Sequence, residues 1–442
     1  MRKFWRDCLL ATIFVFMAMW VILKITQLNI FNAFDSIGTA LSDVELTDYV
    51  FSGLRDDPNV DEDIVVVNIG NLTRREIAEE LRIISKYKPR VIGIDGFFDC
   101  RTGLRDTLNC PQLKDTLGNM MLSSAIQDAG NVVLVTKALQ SSKIVKQGIE
   151  IYDSIRRSDP MFRDHAIAEG YASLETNAAF QDDVKTCRTF NPTLNISNVE
   201  SYAFGVELAR AVDSVKTRKF LERRNYSEVI NYRGNVVDFF HQTKYPQMFY
   251  TLDVADVFSE NFVAEAITGK IVVFGFLGEY IGDPSWADKF YTPLNKKLAG
   301  KANPDMFGVV VHANIVSMIL HEDYVNEMED WQEYIMAFIF CLLNVALFSL
   351  INKHLPSWYD GITKLLQLTQ LLLYSVLMVL IFHWYSFKLN ITITLAAVAL
   401  VGDVFEIYTS IIKNAIFRLK MKFHSLTRRD DEVYIPGESQ KD

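Results

Sequence analysis

The chain has 442 residues, half of them hydrophobic, and a formal net charge of −9 at pH 7. This length predicts two or three folding units, and the negative charge argues against nucleic-acid binding as the main function. The apolar residues are spread unevenly, and they indicate membrane-spanning segments near both ends of the chain.

The first predicted element is a membrane span at the N-terminus. Residues 8–23 form an uncharged run after the basic residues Arg2, Lys3 and Arg6. This arrangement resembles a signal sequence, but no small-x-small cleavage site follows it. We therefore expect an uncleaved signal anchor, the first transmembrane helix, over residues 1–25.

The region between the first span and the second predicts an α/β domain over residues 26–332. Two buried strands, at 63–70 and 89–98, flank a helical pattern in which Thr73 and Glu76 fit a capping box. Such a β-α-β unit makes the two strands parallel. Further strands are predicted at 131–139, 228–234 and 269–275, helices at about 112–128, 201–215 and 251–260, and a strand that runs into a helix at 308–321. The alternation indicates an α/β fold with a mainly parallel sheet flanked by helices.

Three further apolar runs predict a three-helix transmembrane bundle over residues 333–412. The runs cover residues 334–351, about 365–385 and about 389–412. Buried core helices are the alternative, but the runs lie close together and the first two contain almost no charge. With the N-terminal anchor, the sequence therefore predicts four transmembrane helices.

The charges that flank the spans predict the orientation of the chain. Residues 321–333 contain six carboxylates and neither Lys nor Arg, whereas basic residues precede the first span and follow the last one. Because basic flanks stay in the cytoplasm, we expect both termini inside and a short basic cytoplasmic tail at 413–442. Residues 26–332 would then be periplasmic or extracellular, and the expected location is the bacterial inner membrane.

Two carboxylates fall inside the fourth predicted span. Asp403 and Glu406 are three residues apart and therefore share one face of the helix. Intramembrane carboxylates point to a function or to a buried partner. Two interpretations stay open: the carboxylates lie near the cytoplasmic end and contact Lys413 or the other spans, or they belong to a proton relay.

Five sequence blocks in the α/β region carry a family resemblance. In chain order they are the opening strand at 63–70, VIGIDGFF, INYRG, GKIVVFG with the later GD and YTPL, and GVVVHANIVSMIL. Together they resemble the CHASE sensor domain of the second type (cyclase/histidine-kinase-associated sensory extracellular), over roughly residues 30–325. The family's layout of one N-terminal span, a large extracytoplasmic domain and three further spans matches as well. Asn68 stands where members often have an acidic residue, and residues 140–200 are less typical.

The segment ITGKIVVFGFLGEYIGD, residues 267–283, resembles a phosphate-binding element, because a buried strand leads into several glycines. Its glycines are spaced G-x-x-G-x-x-x-G, and it lacks both the G-x-G-x-x-G pattern and the Lys-Ser/Thr of a P-loop. The predicted topology also places it outside the cell, where nucleotides are scarce. We expect these glycines to form a tight turn at the end of a strand.

Polar residues near the ends of the predicted strands are candidate ligand contacts. Ligands of open parallel sheets bind at the carboxyl ends of the strands, where Asn68, Asp95, Asp283 and His312 could gather. The alternative is that these side chains only cap helices and loops. The seven histidines show no metal-ligand spacing, so we expect no metal and no cofactor.

No catalytic motif is found in the sequence. A G-x-S-x-G elbow, a kinase signature set and a zincin motif are all missing from the 442 residues. We expect no catalytic residues, and we expect the tail of about 30 residues to be too short for a kinase or a cyclase. The tail resembles an amphipathic basic helix, which either contacts lipid headgroups or docks a cytoplasmic partner.

The favoured function is a membrane-anchored, non-enzymatic sensor or receptor-like subunit. The resemblance implies that its external domain binds a ligand or a protein partner and that it signals through a separate effector. The alternative is a structural scaffold subunit of a cell-envelope complex. The expected partners are the lipid bilayer and a protein in the membrane or cytoplasm, with self-association left open and no nucleic acid.

Three cysteines, Cys100, Cys110 and Cys187, lie in the region predicted to be external, where disulfides are permitted. Cys100 and Cys110 enclose nine residues that suit a turn, and we favour a bridge between them. Two thiols, or a bridge from either cysteine to Cys187, are the alternatives. Three is an odd number, so at least one external cysteine must stay outside an intramolecular bridge.

Overall fold

The computed structural model describes residues 2–26, 48, 50–55, 58–100, 110–140, 152–174, 186–236, 245, 247–284, 287–295, 303–412 and 415. Contacts divide the chain into two compact units. One, the helical unit, combines Met1–Ile37 with Glu327–Asp442, and the other, the α/β unit, covers Gly38–Asn326. The expected helix in the tail at 413–442 and the basic flank after the last span lie outside the described residues.

The helices and strands alternate through the α/β unit as the sequence predicts. The helices are α1 Arg2–Thr26, α2 Arg74–Lys86, α3 Thr116–Ala129, α4 Pro160–Arg163, α5 Phe204–Val212, α6 Ser214–Leu221, α7 Val254–Phe258, α8 Gly308–His321, α9 Asp330–His354, α10 Tyr359–Tyr385 and α11 Thr392–Ile407. The strands are β1 Asp61–Asn68, β2 Val91–Ile94, β3 Val132–Leu139, β4 Ser154–Arg156, β5 Ala168–Tyr171, β6 Thr189–Phe190, β7 Thr193–Ile196, β8 Val199–Tyr202, β9 Glu228–Val229, β10 Phe249–Leu252, β11 Ile271–Gly275, β12 Lys289–Phe290, β13 Met306–Phe307, β14 Asn326–Glu327 and β15 Phe387–Lys388. A π-helical turn, Tyr408–Ile412, follows α11.

The main sheet confirms the predicted α/β fold. Its strands follow the order β10-β1-β11-β2-β3-β4, and β5 also pairs with β3. Every pairing is parallel except that of β4 with β3, which is antiparallel. Strand β11 inserts between β1 and β2, although these two strands and α2 form one β-α-β unit in the sequence.

Helix α2 shows how the sequence positions one layer on the sheet. Thr73 accepts a hydrogen bond from the backbone of Glu76, whose side chain accepts one from the backbone of Thr73, and this confirms the predicted capping box. Ile77, Leu81 and Ile84 recur at helical spacing and are buried. They pack in a core cluster with side chains from β1, β2, β3 and β11 and from α3.

The opposite face of the sheet is covered by α5 and α8, and two glycines permit the close approach. A Cβ added to Gly93 of β2 would lie 2.8 Å from Phe204 of α5, and one added to Gly275 of β11 would lie 2.4 Å from Val309 of α8. Such distances leave no room for any side chain. Helices α2 and α3 therefore cover one face, whereas α5 and α8 cover the other.

One predicted element is wrong in type. The run GVVVH at the start of 308–321 is predicted as a strand, but α8 is helical from Gly308 to His321, and the preceding strand β13 is only Met306–Phe307. Valine prefers strands because its branched side chain fits a pleated surface, but that preference is weaker than burial. Nearly all of α8 is buried, and a helix that is apolar all round fits this interior position.

The strand predicted at 228–234 is much shorter than expected. Only β9, Glu228–Val229, forms a ladder, which pairs with β6. Beyond it, the side chain of Asn314 on α8 accepts hydrogen bonds from the backbone of Arg233 at 2.7 Å and Gly234 at 3.1 Å, and donates one to the carbonyl of Gly234 at 2.9 Å. One buried amide thus replaces the sheet partner and connects the INYRG and HAN blocks.

The helical unit contains the four predicted membrane helices. The segments long and apolar enough to cross a membrane are Arg2–Ile22, Asp330–His354, Pro356–Tyr385 and Thr392–Ile412. Side chains of α1, α9 and α11 share one apolar core, in which Ala11, Cys341 and Val401 are fully buried. These four helices, long and apolar enough to cross a membrane, support the prediction of a membrane protein.

Candidate functional site

The candidate site lies at the carboxyl edge of the main sheet, where the connections of neighbouring strands diverge. The chain leaves β2 towards α3 on one face, and it leaves the adjacent β11 towards α8 on the other face. In α/β sheets, a crevice that can bind ligands opens at such a switch point. Asp95 follows β2 directly, and its backbone N–H donates to the carbonyl of Phe274 at 2.7 Å.

Asp95 is half-buried at this edge. Burial raises the pKa of its carboxyl to about 8, and the negative charge of Asp288 raises it further. Burial also raises the pKa of Asp288, to about 6, although the cation of Lys137 lowers it. Two acids and one base therefore influence one another at the ends of β2, β3 and β11.

The N-terminus of α8 belongs to the same edge. The backbone N–H of Gly308, the first residue of α8, donates to the carbonyl of Asp288 at 3.0 Å. No side chain caps this helix end. The positive end of the helix dipole therefore lies beside an acidic side chain, an arrangement that stabilises negative charge there.

The side chain of Asn68 is fully buried, and both its nitrogen and its oxygen form hydrogen bonds. Its amide nitrogen donates to Asp253 at 2.9 Å and to the carbonyl of Gly278 at 3.2 Å. Its oxygen accepts from the backbone N–H groups of Gly70 at 2.9 Å and Leu277 at 2.8 Å. Asn68 thus holds the glycine loop against the end of β1. An aspartate at this position could not donate the first two bonds.

Asp283 lies within the glycine loop and helps to close it. Its side chain accepts from the backbone N–H of Glu279 at 2.9 Å, and its carbonyl accepts from Lys289 at 2.7 Å. Gly278 has a φ of +96°, and a Cβ there would lie 2.3 Å from the Cβ of Asp283. The loop glycines therefore allow a turn whose polar groups bond to one another, as the sequence predicts.

His312 is buried in the core rather than gathered with Asn68 and Asp283. It lies on α8 and makes an edge contact with the ring of Phe204, the ring centroids being 5.3 Å apart. Burial lowers its pKa to about 4, although a hydrogen bond with the backbone of Ala172 opposes this shift. His312 is therefore neutral near pH 7.

The segment after Asp95 is fastened at two points. Cys100 and Cys110 form a disulfide with their Cα atoms 5.7 Å apart. Asp99 forms a two-pronged ion pair with Arg156 of β4, which also stacks over the ring of Phe97 at 4.6 Å. These links restrict the segment that follows Asp95. Residues 101–109 lie outside the described residues.

Sequence reasoning missed two notable acids, Asp288 and Glu80. Nothing in the sequence relates Asp288 to Asp95, since tertiary structure alone brings them together. Glu80 is fully buried on α2, and neither of its side-chain oxygens has a hydrogen-bond partner. Its spacing from Ile77 and Ile84 places Glu80 on the apolar face of α2, so the helical spacing of the apolar residues could have identified it as a buried acid. Among the residues that the structure describes, no three His, Cys, Asp or Glu side chains group as a metal site.

Comparison with known proteins gives one match. A family model described as CHASE2 domain matches residues 17–348, which is well over half of the chain. This match confirms the resemblance that the sequence blocks indicate. CHASE2 is an extracellular sensory domain found in signalling proteins. Neither the curated proteins nor the solved structures gave a match.

Proposed function

The chain belongs to the CHASE2 domain family, and on this premise we propose that it is a membrane-anchored, non-enzymatic sensor or receptor-like subunit. Its α/β unit binds a ligand or a protein partner, and a separate effector produces the output. The observation that carries this proposal is a sensory α/β unit in the same chain as four membrane helices, without a kinase signature in the sequence.

The proposed topology places the α/β unit outside the cytoplasmic membrane of a bacterium. The charge pattern supports this topology, because basic residues precede the first span and follow the last one, whereas six carboxylates precede the second span. Both termini are then cytoplasmic. In this proposal the domains are the anchor 1–25, the sensor 26–332, the bundle 333–412 and the tail 413–442.

We place the ligand contact at Asp95. Of the four candidate residues it is the one whose side chain lies at the switch-point crevice without being used to fasten a loop or fill the core. Asn68 and Asp283 hold the glycine loop, and His312 packs against Phe204. The disulfide and the Arg156–Asp99 pair support this position, because a site needs rigid walls to distinguish ligands.

Helix α8 provides a route through the α/β unit for a change at the crevice. Its first residue bonds to Asp288 at the carboxyl edge of the sheet. In its last turns, Ser317 donates to Asp61, which starts β1 at the amino edge. Asp323, just beyond α8, lies 4.0 Å from Arg55. A shift of this buried helix would therefore move the segment through which the chain enters the unit, at Arg55 and Asp61. It would also move the segment through which the chain leaves the unit, at Asp323.

The test uses the full chain in its native membranes and the effector recovered with it. Asp95→Asn removes the proposed contact, and Glu62→Gln changes an exposed carboxylate of β1 as a matched control. We expect Asp95→Asn to change the output of the effector at least several-fold and Glu62→Gln to leave it as in wild type. Equal output from all three chains would contradict a ligand contact at Asp95.

The scaffold alternative predicts a different result. The recovered proteins would then be envelope assembly proteins, and Asp95→Asn would affect neither their recovery nor their activity. The non-enzymatic role is tested separately, since the purified chain should show no ATPase, phosphatase or peptidase activity. Robust turnover that Asp283→Asn abolishes would contradict it.

A further inference from the structure

A charged group lies deep within the last membrane span. Asp403 is 11 residues after the start and nine before the end of the span Thr392–Ile412. At 1.5 Å per residue it is about 17 Å from one end and about 14 Å from the other. A charge at this depth is costly in lipid, and such groups normally face protein or water.

Among the residues that the structure describes, the partner of Asp403 is Lys364 of α10, and the expected contact with Lys413 lies outside them. Lys364 and Asp403 form an ion pair, yet their side chains are 56% and 55% exposed. Just beside them, Gln367 is buried and donates to the carbonyls of Val398 and Ala399, both at 2.9 Å. Gln367 thus connects α10 and α11 inside the bundle, and the ion pair joins the same two helices on the outer surface.

Glu406 extends this surface by one helical turn. Its side chain is exposed, and among the described residues its carboxylate forms no hydrogen bond and no ion pair. We call Lys364, Asp403 and Glu406 the charged strip. Apolar side chains next to the strip are exposed as well: Leu365 by 66%, Leu368 by 57% and Ile407 by 47%.

We propose that a second copy of this chain packs on the charged strip about a two-fold axis. The strip carries one positive and two negative side chains, so it complements itself when one copy is rotated onto another. Lys364 of each copy faces Glu406 of the other, and the neighbouring apolar side chains pack around these pairs. The charges are then enclosed by protein instead of hydrocarbon.

This arrangement makes a charge-swap experiment decisive. In a chain with Glu406→Lys, the introduced lysine faces Lys364 of the second copy, and in a chain with Lys364→Glu, the introduced glutamate faces Glu406. Two chains that carry the same substitution should therefore repel each other. A mixed pair places opposite charges together at both contacts and should associate.

The experiment counts copies of the full chain in lipid bilayers by energy transfer between two differently labelled populations. Wild type should form dimers, each variant alone should lose association at least ten-fold, and mixing the two variants should restore it. Restoration also shows that both variants are folded. Asp330→Lys, which reverses an exposed charge at the start of α9, is the control and should associate like wild type.

Three results would overturn the proposal. Wild type that is monomeric in the bilayer excludes the second copy and leaves lipid or a different protein on the strip. Variants that associate as well alone as when mixed show that the strip is not the interface. Loss of association in the Asp330→Lys control shows that the measurement does not depend on the strip.

Discussion

Asn68 donates a hydrogen bond to Asp253 at 2.9 Å across 185 residues of sequence. Asp253 is the N-cap of α7, and its second oxygen accepts from the backbone of Ile281 in the glycine loop at 3.1 Å. The end of β1, the start of α7 and the glycine loop are therefore held by one amide and one carboxylate. The glycine loop is therefore held by contacts within the protein, and it lacks the residues that a P-loop requires.

Replacing Asn68 by alanine should destabilise the α/β unit. The substitution leaves the buried backbone N–H of Leu277 and the buried carbonyl of Gly278 without their bonds to Asn68, which costs about 1–3 kcal/mol for each group left unsatisfied. Thermal or denaturant unfolding of the full chain measures the loss. The control is Asn71→Ala, which removes only an exposed bond to Glu279. Equal stability of the two variants would contradict the network.

The buried carboxyl of Glu80 should make the free energy of unfolding depend on pH. Burial, and then the charges of Asp253 and Glu76, raise its pKa from 4.5 to about 8. Between these values the folded protein keeps a proton that the unfolded chain releases. Stability should therefore fall as the pH rises through this window, by up to about 1.4 kcal/mol per pH unit, and level off above it.

Glu80→Gln should remove most of this pH dependence and make the protein more stable than wild type at pH 7–8. Unfolding midpoints at several pH values between 5 and 8.5 provide the measurement. Glu79→Gln, an exposed neighbour on α2, should keep the wild-type dependence. If Glu80→Gln follows the wild-type curve, the carboxyl of Glu80 is not the group that titrates.

The disulfide should protect Cys100 and Cys110 from alkylation. Neither Cys100 nor Cys110 should react with an alkylating reagent until a reductant is added, which peptide mapping under non-reducing conditions shows. Replacing both by serine should lower the free energy of unfolding by about 2–3 kcal/mol, because the bridge restricts the unfolded chain. A native preparation in which both cysteines alkylate without reductant would exclude the bridge.

The proposed topology predicts the location of two reporters. A reporter fused after Asp442 should behave as cytoplasmic, and one inserted near Lys146 should behave as external. The basic flanks and the acidic segment 321–333 are the physical reason, because the positive residues stay inside. Two reporters on the same side would contradict the four-span topology and the sensory proposal that depends on it.

Local patterns in the sequence predict much of the fold. The capping box at Thr73 and Glu76, the spacing of the apolar residues in α2 and the Ile/Val runs of the strands each depend on neighbours within one element. Residues 308–321 are the instructive exception. There, the β-branched valines indicate a strand, and only the surrounding core decides in favour of a helix.

The candidate site is harder to predict because distant segments build it. Asp95 can be found from its position after a strand, but its neighbour Asp288 is brought close by the insertion of β11 between β1 and β2. The same insertion brings the glycine loop to Asn68. Strand order in a sheet is set by packing over the whole chain, so local periodicity cannot supply it.

The central claim is that this chain is a sensor subunit and that a separate effector protein produces the output. Affinity purification of the tagged full chain from its native membranes, with quantitative mass spectrometry, tests this claim most directly. We predict that a second protein with a catalytic output domain is recovered in a fixed ratio to the chain. Recovery of the chain alone, with no stoichiometric partner, would contradict the account.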